Sequence, residues 1–140
     1  PKYVLLTAGV SDYKFGKELG AVSNNIMGTA WWHDSVTFSL DWTKRYKDRF
    51  GRMPDYHASG AYAAAQILEQ AIKATNSLDN SRLRDYIRGN SFDTVIAQGL
   101  GFDDRGAPSY SMVTLQWQKG NLKVVWPTKA QTAKPRNYAP

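Results

Sequence analysis

His33 and His57 are the only imidazoles in the chain, and each has a serine two residues on, Ser35 and Ser59. Histidine beside serine is the material of nucleophilic catalysis. Neither serine sits in a Gly-x-Ser-x-Gly elbow, though, and no motif supplies the third member of a relay. The histidines have no i, i+4 spacing, and no nearby carboxylate completes a metal-ligand motif, so both read as turn or surface residues. A serine or aspartate within hydrogen-bond reach of either ring, inside a pocket, would count against that. Gly99-Leu100-Gly101 opens like a dinucleotide fingerprint, but the third glycine waits until Gly106 and no helix follows. Asp103-Asp104 with Gly106 reads as a type I turn rather than a calcium loop. The absence of cysteine removes thiolate catalysis, disulfides and Cys-ligated zinc. The residues therefore predict no catalytic group, no metal and no cofactor. The adjacent pair Trp31-Trp32 has a different use. On an extended segment the two rings point to opposite faces, so one can pack inside while the other walls a ligand.

The elements that would position these residues are legible from periodicity. Tyr3 to Thr7 reads as a short strand, followed by the loop Ala8-Gly9-Val10-Ser11-Asp12. A short helix capped by Ser11 or Asp12 runs to Leu19, and Gly20 closes it. A second strand spans Asn25 to Trp31, so the opening is β-α-β, the unit of a parallel sheet. Phe38, Trp42, Tyr46 and Phe50 recur every four residues on a predicted helix from Thr37 to Phe50, capped by Ser35. That stripe reads as core packing. A second helix is expected from Ala58 to Ala74, with Ala61, Ala65, Leu68 and Ile72 on one face, and a third from Ser81 to Arg88, closed by Gly89. Thr94 to Ala97 reads as a short strand. Ser111 to Gln118 alternates, with Val113, Leu115 and Trp117 on one face, and Lys119-Gly120-Asn121 turns it back through Leu122 to Trp126 as a hairpin.

The 140 residues make one ordinary domain's length, with 42% hydrophobic and 13% aromatic residues, enough for a packed core. The formal charge is +6, but Lys129, Lys134 and Arg136 place half of it in the final thirteen residues, which hold no acid. Elsewhere both signs interleave, as on a solvated surface rather than a nucleic-acid patch. No apolar run reaches the ~20 residues that span a bilayer. Pro1 to Thr7 reads directly as a strand, which predicts no signal peptide here: either export is irrelevant or the true N-terminus lies elsewhere.

The run from Arg45 to Ala65 carries the strongest signal. A basic-aromatic helix stops at Phe50-Gly51, Pro54 turns the chain, and Tyr62-Ala63-Ala64 lies in a small-residue helix. This resembles the solute-binding proteins of ABC importers, of the branched-chain amino-acid (Leu/Ile/Val-binding) type. Gln66 to Ile72 followed by Leu78-Asp79, then Phe92-Asp93-Thr94-Val95, Gly101-Phe102-Asp103 with Gly106, Gln116-Trp117-Gln118 and Val124-Val125-Trp126-Pro127 extend the likeness in order. The resemblance implies an α/β protein of the type I periplasmic-binding-protein fold, with two flavodoxin-like lobes of parallel sheet flanked by helices and a solute held in the interlobe cleft. Only the C-terminal part of such a protein is matched. Residues 1–33 would be part of the second lobe and a crossover, 34–112 part of the first lobe, 113–127 the return crossover and hairpin, and 128–140 a peripheral or loose basic tail. Thr7, Ala8 and Gly9, with Trp31 and Trp32, would line the ligand site. Amino-acid binders of the family carry an acid in the matching loop to hold an ammonium. Ala8 stands there here, which favours an amide, an aromatic acid or another solute without a cation to pair. The implied partners are the small solute, the membrane subunits of an ABC importer and a missing N-terminal part of the same protein, with no nucleic acid and no membrane insertion. The implied location is periplasmic or extracellular. A cytoplasmic ligand-sensing regulator of the same fold, or an independent small α/β enzyme, are the competing readings.

Overall fold

The computed structural model describes residues 1–7, 9–36, 38 and 40–138. Two compact units divide the chain. One combines Pro1–Val36 with Met112–Pro140, and the other is the continuous stretch Thr37–Ser111.

The first unit is a four-stranded sheet in the order β1 (Val4–Leu6), β2 (Ile26–Ala30), β3 (Val113–Gln118), β4 (Asn121–Trp126). β1 and β2 are parallel, joined through helix α1 (Tyr13–Leu19), as the β-α-β pattern predicts. Asp12 is the cap of α1, its carboxylate accepting from Lys14 N at 2.9 Å. β3 runs antiparallel to both β2 and β4, so the sheet is mixed rather than parallel throughout. The hairpin turns through Lys119 and Gly120, both at positive φ.

Trp117 organises this unit. Its ring packs with Val10 and Ile26, and Val4, Phe15 and Leu122 close around them. Its indole N–H donates to the Val10 carbonyl at 2.8 Å in a fully buried bond. The ring also packs against Gly16 of α1, where an added Cβ would lie 2.3 Å from Trp117 Cζ3. Glycine is required there for space, since it alone lets helix and ring touch. Gly28 plays the same part on β2, where an added Cβ would sit 2.6 Å from Val10 Cβ.

The sequence predicts one buried face on β3, yet Gln116 and Gln118 on the other face are buried too. The segment after β4 covers them, so the tail is peripheral but not loose. Gln116 Nε2 donates to the carbonyls of Asn25 and Arg136, and its Oε1 accepts from Arg136 N. Gln118 Nε2 donates to Gln116 Oε1 and to the Lys134 carbonyl. Thr132 pairs with the backbone of Val124, and Tyr138 N donates to Lys2 O. A carboxamide has two donors and a double acceptor, so two glutamines can bind a tail that has no strand geometry.

The second unit holds helices α2 (Leu40–Phe50), α3 (Tyr56–Thr75) and α4 (Asn80–Gly89). α2 starts at Leu40, later than predicted, because Asp34–Val36 forms a separate 3-10 turn that includes the expected cap Ser35. Thr37 lies outside the described residues. Asp55 caps α3 through Ala58 N and Asp79 caps α4 through Arg82 N. The buried face of α3 is Ser59, Ala63, Ile67 and Ala71, not the face of Ala61, Ala65, Leu68 and Ile72. Ile67 packs with Phe92 and Leu100, and Gln66 and Gln70 tie α3 to the backbone of Val95 and Asp93. The expected strand from Thr94 to Ala97 is instead a tight turn. Thr94 Oγ1 accepts from both Ile96 N and Ala97 N, and Thr94 N donates to the Ala97 carbonyl. Phe102 to Gly106 turns as predicted, with Asp103 Oδ1 accepting from Arg105 N and Ala107 N.

Two substitutions test these contacts. Gly16→Ala forces the Trp117 ring to move and costs about 1–3 kcal/mol, read as a drop in the urea midpoint. Gln116→Leu keeps the volume but strands the partners of the carboxamide, again at about 1–3 kcal/mol for each group left buried. Trypsin should then cut after Arg136 faster than in the wild type.

Candidate functional site

The loop after β1 and the end of β2 meet at one end of the parallel pair, the position where open α/β sheets bind ligands. Leu6 pairs with Gly28 in register, so β2 continues past the end of β1 towards Trp31. Hydroxyls fix the loop. Thr29 Oγ1 donates to the Thr7 carbonyl at 3.3 Å, and Ser11 Oγ donates to the Thr29 carbonyl at 2.8 Å. Asp12 N closes a turn on Gly9 O at 3.1 Å, and the Trp117 indole holds Val10. Gly9 takes φ +81°, a conformation that glycine adopts without strain.

Thr7 and Gly9 are exposed at this end, and Ala8 lies outside the described residues. Trp31 is half-buried and follows β2 directly, whereas Trp32 is buried at 4% exposure. Sequence reasoning missed Ser11 and Thr29, which hold the loop through carbonyls. No local motif marks a hydroxyl whose partner lies 18 or 22 positions away.

His33 does meet a serine and an aspartate. Its Nδ1 lies 2.8 Å from Ser35 Oγ and 3.0 Å from Asp34 Oδ1. Both contacts use the same ring nitrogen, and Ser35 N also donates to it at 3.2 Å. A proton relay needs the nucleophile and the carboxylate on opposite nitrogens. This cluster therefore caps the Asp34–Val36 turn rather than activating Ser35. The hydrogen bond to His33 holds the Asp34 carboxyl below its ordinary range, partly offset by burial.

The second unit carries an open groove of about 580 Å³ between α2 and α3. Trp42, Tyr46, Phe50 and Tyr62 form its walls, with Ala61 and Ala65 as its floor. Ring centroids lie 5.2 Å apart for Trp42 and Tyr62, 5.7 Å for Trp42 and Tyr46, and 4.6 Å for Tyr46 and Phe50. The predicted core stripe is thus buried only at Trp42. Phe38 and Phe50 are exposed. Arg45 and Arg49 stand at the rim. Hydrogen bonds to Tyr62 and then to Asp41 push Arg45 further above the usual guanidinium range.

Comparison with known proteins places this geometry. The model of the family described as periplasmic binding protein matches residues 2–121. The chain belongs to the periplasmic binding protein family. Three solved structures show the same fold. The leucine binding protein LivK of Thermotoga maritima superimposes with a TM-score of 0.77 at 20% identity, covering 87% of this chain and 36% of that one. LivJ of Streptococcus pneumoniae, solved in complex with isoleucine, gives 0.73 at 18% identity over 91% of this chain and 38% of that one. A periplasmic binding protein of Burkholderia mallei gives 0.69 at 19% identity over 98% and 47%. The chain spans less than half the length of each. The fold is the type I periplasmic-binding-protein fold, as the resemblance implies, and the family consists of binding proteins rather than enzymes. Among the described residues no helix is long and apolar enough to cross a membrane.

The Asp34 carboxylate gives a pH test. Because its folded pKa is depressed, its stabilisation is complete above the ordinary aspartate value and disappears as pH falls through the lower folded value. Acid titration followed by tryptophan fluorescence should show this loss in the wild type, and Asp34→Asn should remove that part of the pH dependence.

Proposed function

We propose that this chain is the C-terminal part of a periplasmic or extracellular solute-binding protein that delivers its solute to the membrane subunits of an ABC importer. The observation that carries this reading is the family match over residues 2–121. The loop end of β1 and β2 supports it with a suitable surface, exposed at Thr7 and Gly9, the neighbours of Ala8 in sequence, with a half-buried Trp31 and a buried Trp32. The first acid after β1 is Asp12, and its carboxylate is engaged in capping α1. No carboxylate between Leu5 and Ser11 is available to hold an ammonium. The solute that suits this loop is an amide or an aromatic acid, with Gly9 giving backbone access to its oxygen and Trp31 an apolar wall.

Calorimetry on the full-length protein with leucine, benzamide and benzoate tests the reading. Tight binding of the amide or the aromatic acid, with weaker binding of leucine, is the expected order. Trp31→Ala should weaken the preferred solute by ~1–3 kcal/mol, with unfolding unchanged. Trp32→Ala should instead lower stability by about 3–5 kcal/mol, as loss of a buried ring does. Equal affinities of wild type and Trp31→Ala would remove this end of the sheet from the site.

A further inference from the structure

We propose that the basic strap after β4, together with the hairpin it lies on, is a docking surface for an anionic lipid bilayer, engaged at the headgroup level without insertion. The proposal rests on the reading that the chain works outside the cytoplasm beside an importer. It extends that reading by naming a second partner of the carrier and the face that meets it.

The distribution of charge carries it. The segment from Met112 to Pro140 holds five cations, Lys119, Lys123, Lys129, Lys134 and Arg136, and no acid. The fold gathers them. Lys119 lies in the hairpin turn, and Lys123 stands opposite Gln116 in register, so it shares the face that the strap covers. On that face Lys134 and Arg136 are held by their backbone groups. The Lys134 carbonyl accepts from Gln118 Nε2 at 2.8 Å, and Arg136 N donates to Gln116 Oε1 at 2.8 Å. Their side chains are not used in fixing the strap, and both residues are exposed. Tyr138 N, donating to Lys2 O, brings a further cation beside the strap. The acids of the unit lie elsewhere. Asp12 and Glu18 belong to α1 and its cap, on the Trp117 side of the sheet, and Asp34 is engaged by His33.

Pairing sets this surface apart. In the second unit Lys44, Arg45, Arg52, Lys73, Arg84 and Arg105 each meet a carboxylate. Among the described residues none of the cations of the hairpin and strap has an acidic partner. Unpaired cations on an acid-free face make a positive field that a planar array of phosphates matches without any fixed geometry. All of them but Arg136 are lysines. Lysine is a point charge, better suited to a diffuse surface than the forked guanidinium that grips one carboxylate. Two exposed amphipathic rings accompany them, Trp126, opposite Thr114 on the same face, and Tyr138. Rings of this kind settle at the headgroup level of a bilayer, where one edge is apolar and the other wet.

The full-length protein, expressed so that no acyl chain is attached, is sedimented with sucrose-loaded vesicles. Vesicles of phosphatidylglycerol mixed with phosphatidylcholine should bind it, and vesicles of phosphatidylcholine alone should not. Added salt should release it, since exposed charges are screened. Lys119→Gln, Lys134→Gln and Arg136→Gln should each weaken binding about fivefold, the loss that goes with removing one cation near a charged surface. Arg136→Lys should keep the wild-type affinity, because the charge is read and not the fork. Lys17→Gln, on α1 across the sheet, should also bind like the wild type. The strap is held by main-chain atoms, so all these variants should keep the wild-type melting temperature. Equal binding to both kinds of vesicle, or none to either, overturns the proposal. So does a loss with Lys17→Gln as large as with Lys134→Gln, which would mean that net charge alone is read. A protein that ignores both vesicles but binds soluble polyglutamate through the same cations has a face for an acidic protein, and that result also overturns the proposal. The assay uses no solute. A failure to bind benzamide or benzoate therefore leaves it intact, and a failure on vesicles leaves the loop end of β1 and β2 as the solute surface.

Discussion

The bond from the Trp117 indole to the Val10 carbonyl holds the first unit together. It joins the loop after β1 to a strand 107 positions later and does so inside the core, where an unmade hydrogen bond would cost most. The same ring sets the distance of α1, because Gly16 leaves nothing between helix and indole. The shape of the loop, the placement of α1 and the pairing of β2 with β3 thus share one side chain. The loop proposed to meet the solute is thereby anchored at its buried residues Val10 and Ser11, while Thr7 and Gly9 are exposed.

How much of this could be read from the sequence depends on how much each residue type discriminates. The opening β-α-β, the closing hairpin and the helix boundaries marked by Asp12, Gly20 and Gly51 were legible because apolar alternation and special backbone positions leave few alternatives. The face of α3 was not. Alanine surrounds most of that helix, so Ala61 and Ala65 looked as good as Ala63 and Ala71. The deciding residues were Ile67, which found Phe92 and Leu100, and Ser59, which buries its hydroxyl by donating to the Tyr56 carbonyl. The stretch from Thr94 to Ala97 looked like a strand by composition, yet one threonine hydroxyl accepting two backbone N–H groups stabilises a turn instead.

The candidate site divides in the same way. Gly9 and the tryptophan pair stood out by residue type, and the β-α-β pattern put them at one end of the sheet. Ser11 and Thr29 did not stand out, because their work is to satisfy carbonyls across the strand pair. Gln116 and Gln118 were hidden by the alternation rule itself, which assigns every second residue of a hairpin strand to solvent. The tail that buries them follows no period, since its contacts are backbone groups meeting two carboxamides.

The first unit is discontinuous in sequence, and this bears on its synthesis. β2 has its antiparallel partner in β3, with Ala30 opposite Val113. At ~5–20 residues per second, the roughly eighty intervening residues occupy the ribosome for on the order of 4–16 s. During that interval β1 and β2 exist without the strand that completes them, while the whole second unit emerges. A nascent chain in this state offers a bare, apolar strand edge to its surroundings. Demand for a holding chaperone should therefore peak in this window and end when Trp117 leaves the exit tunnel.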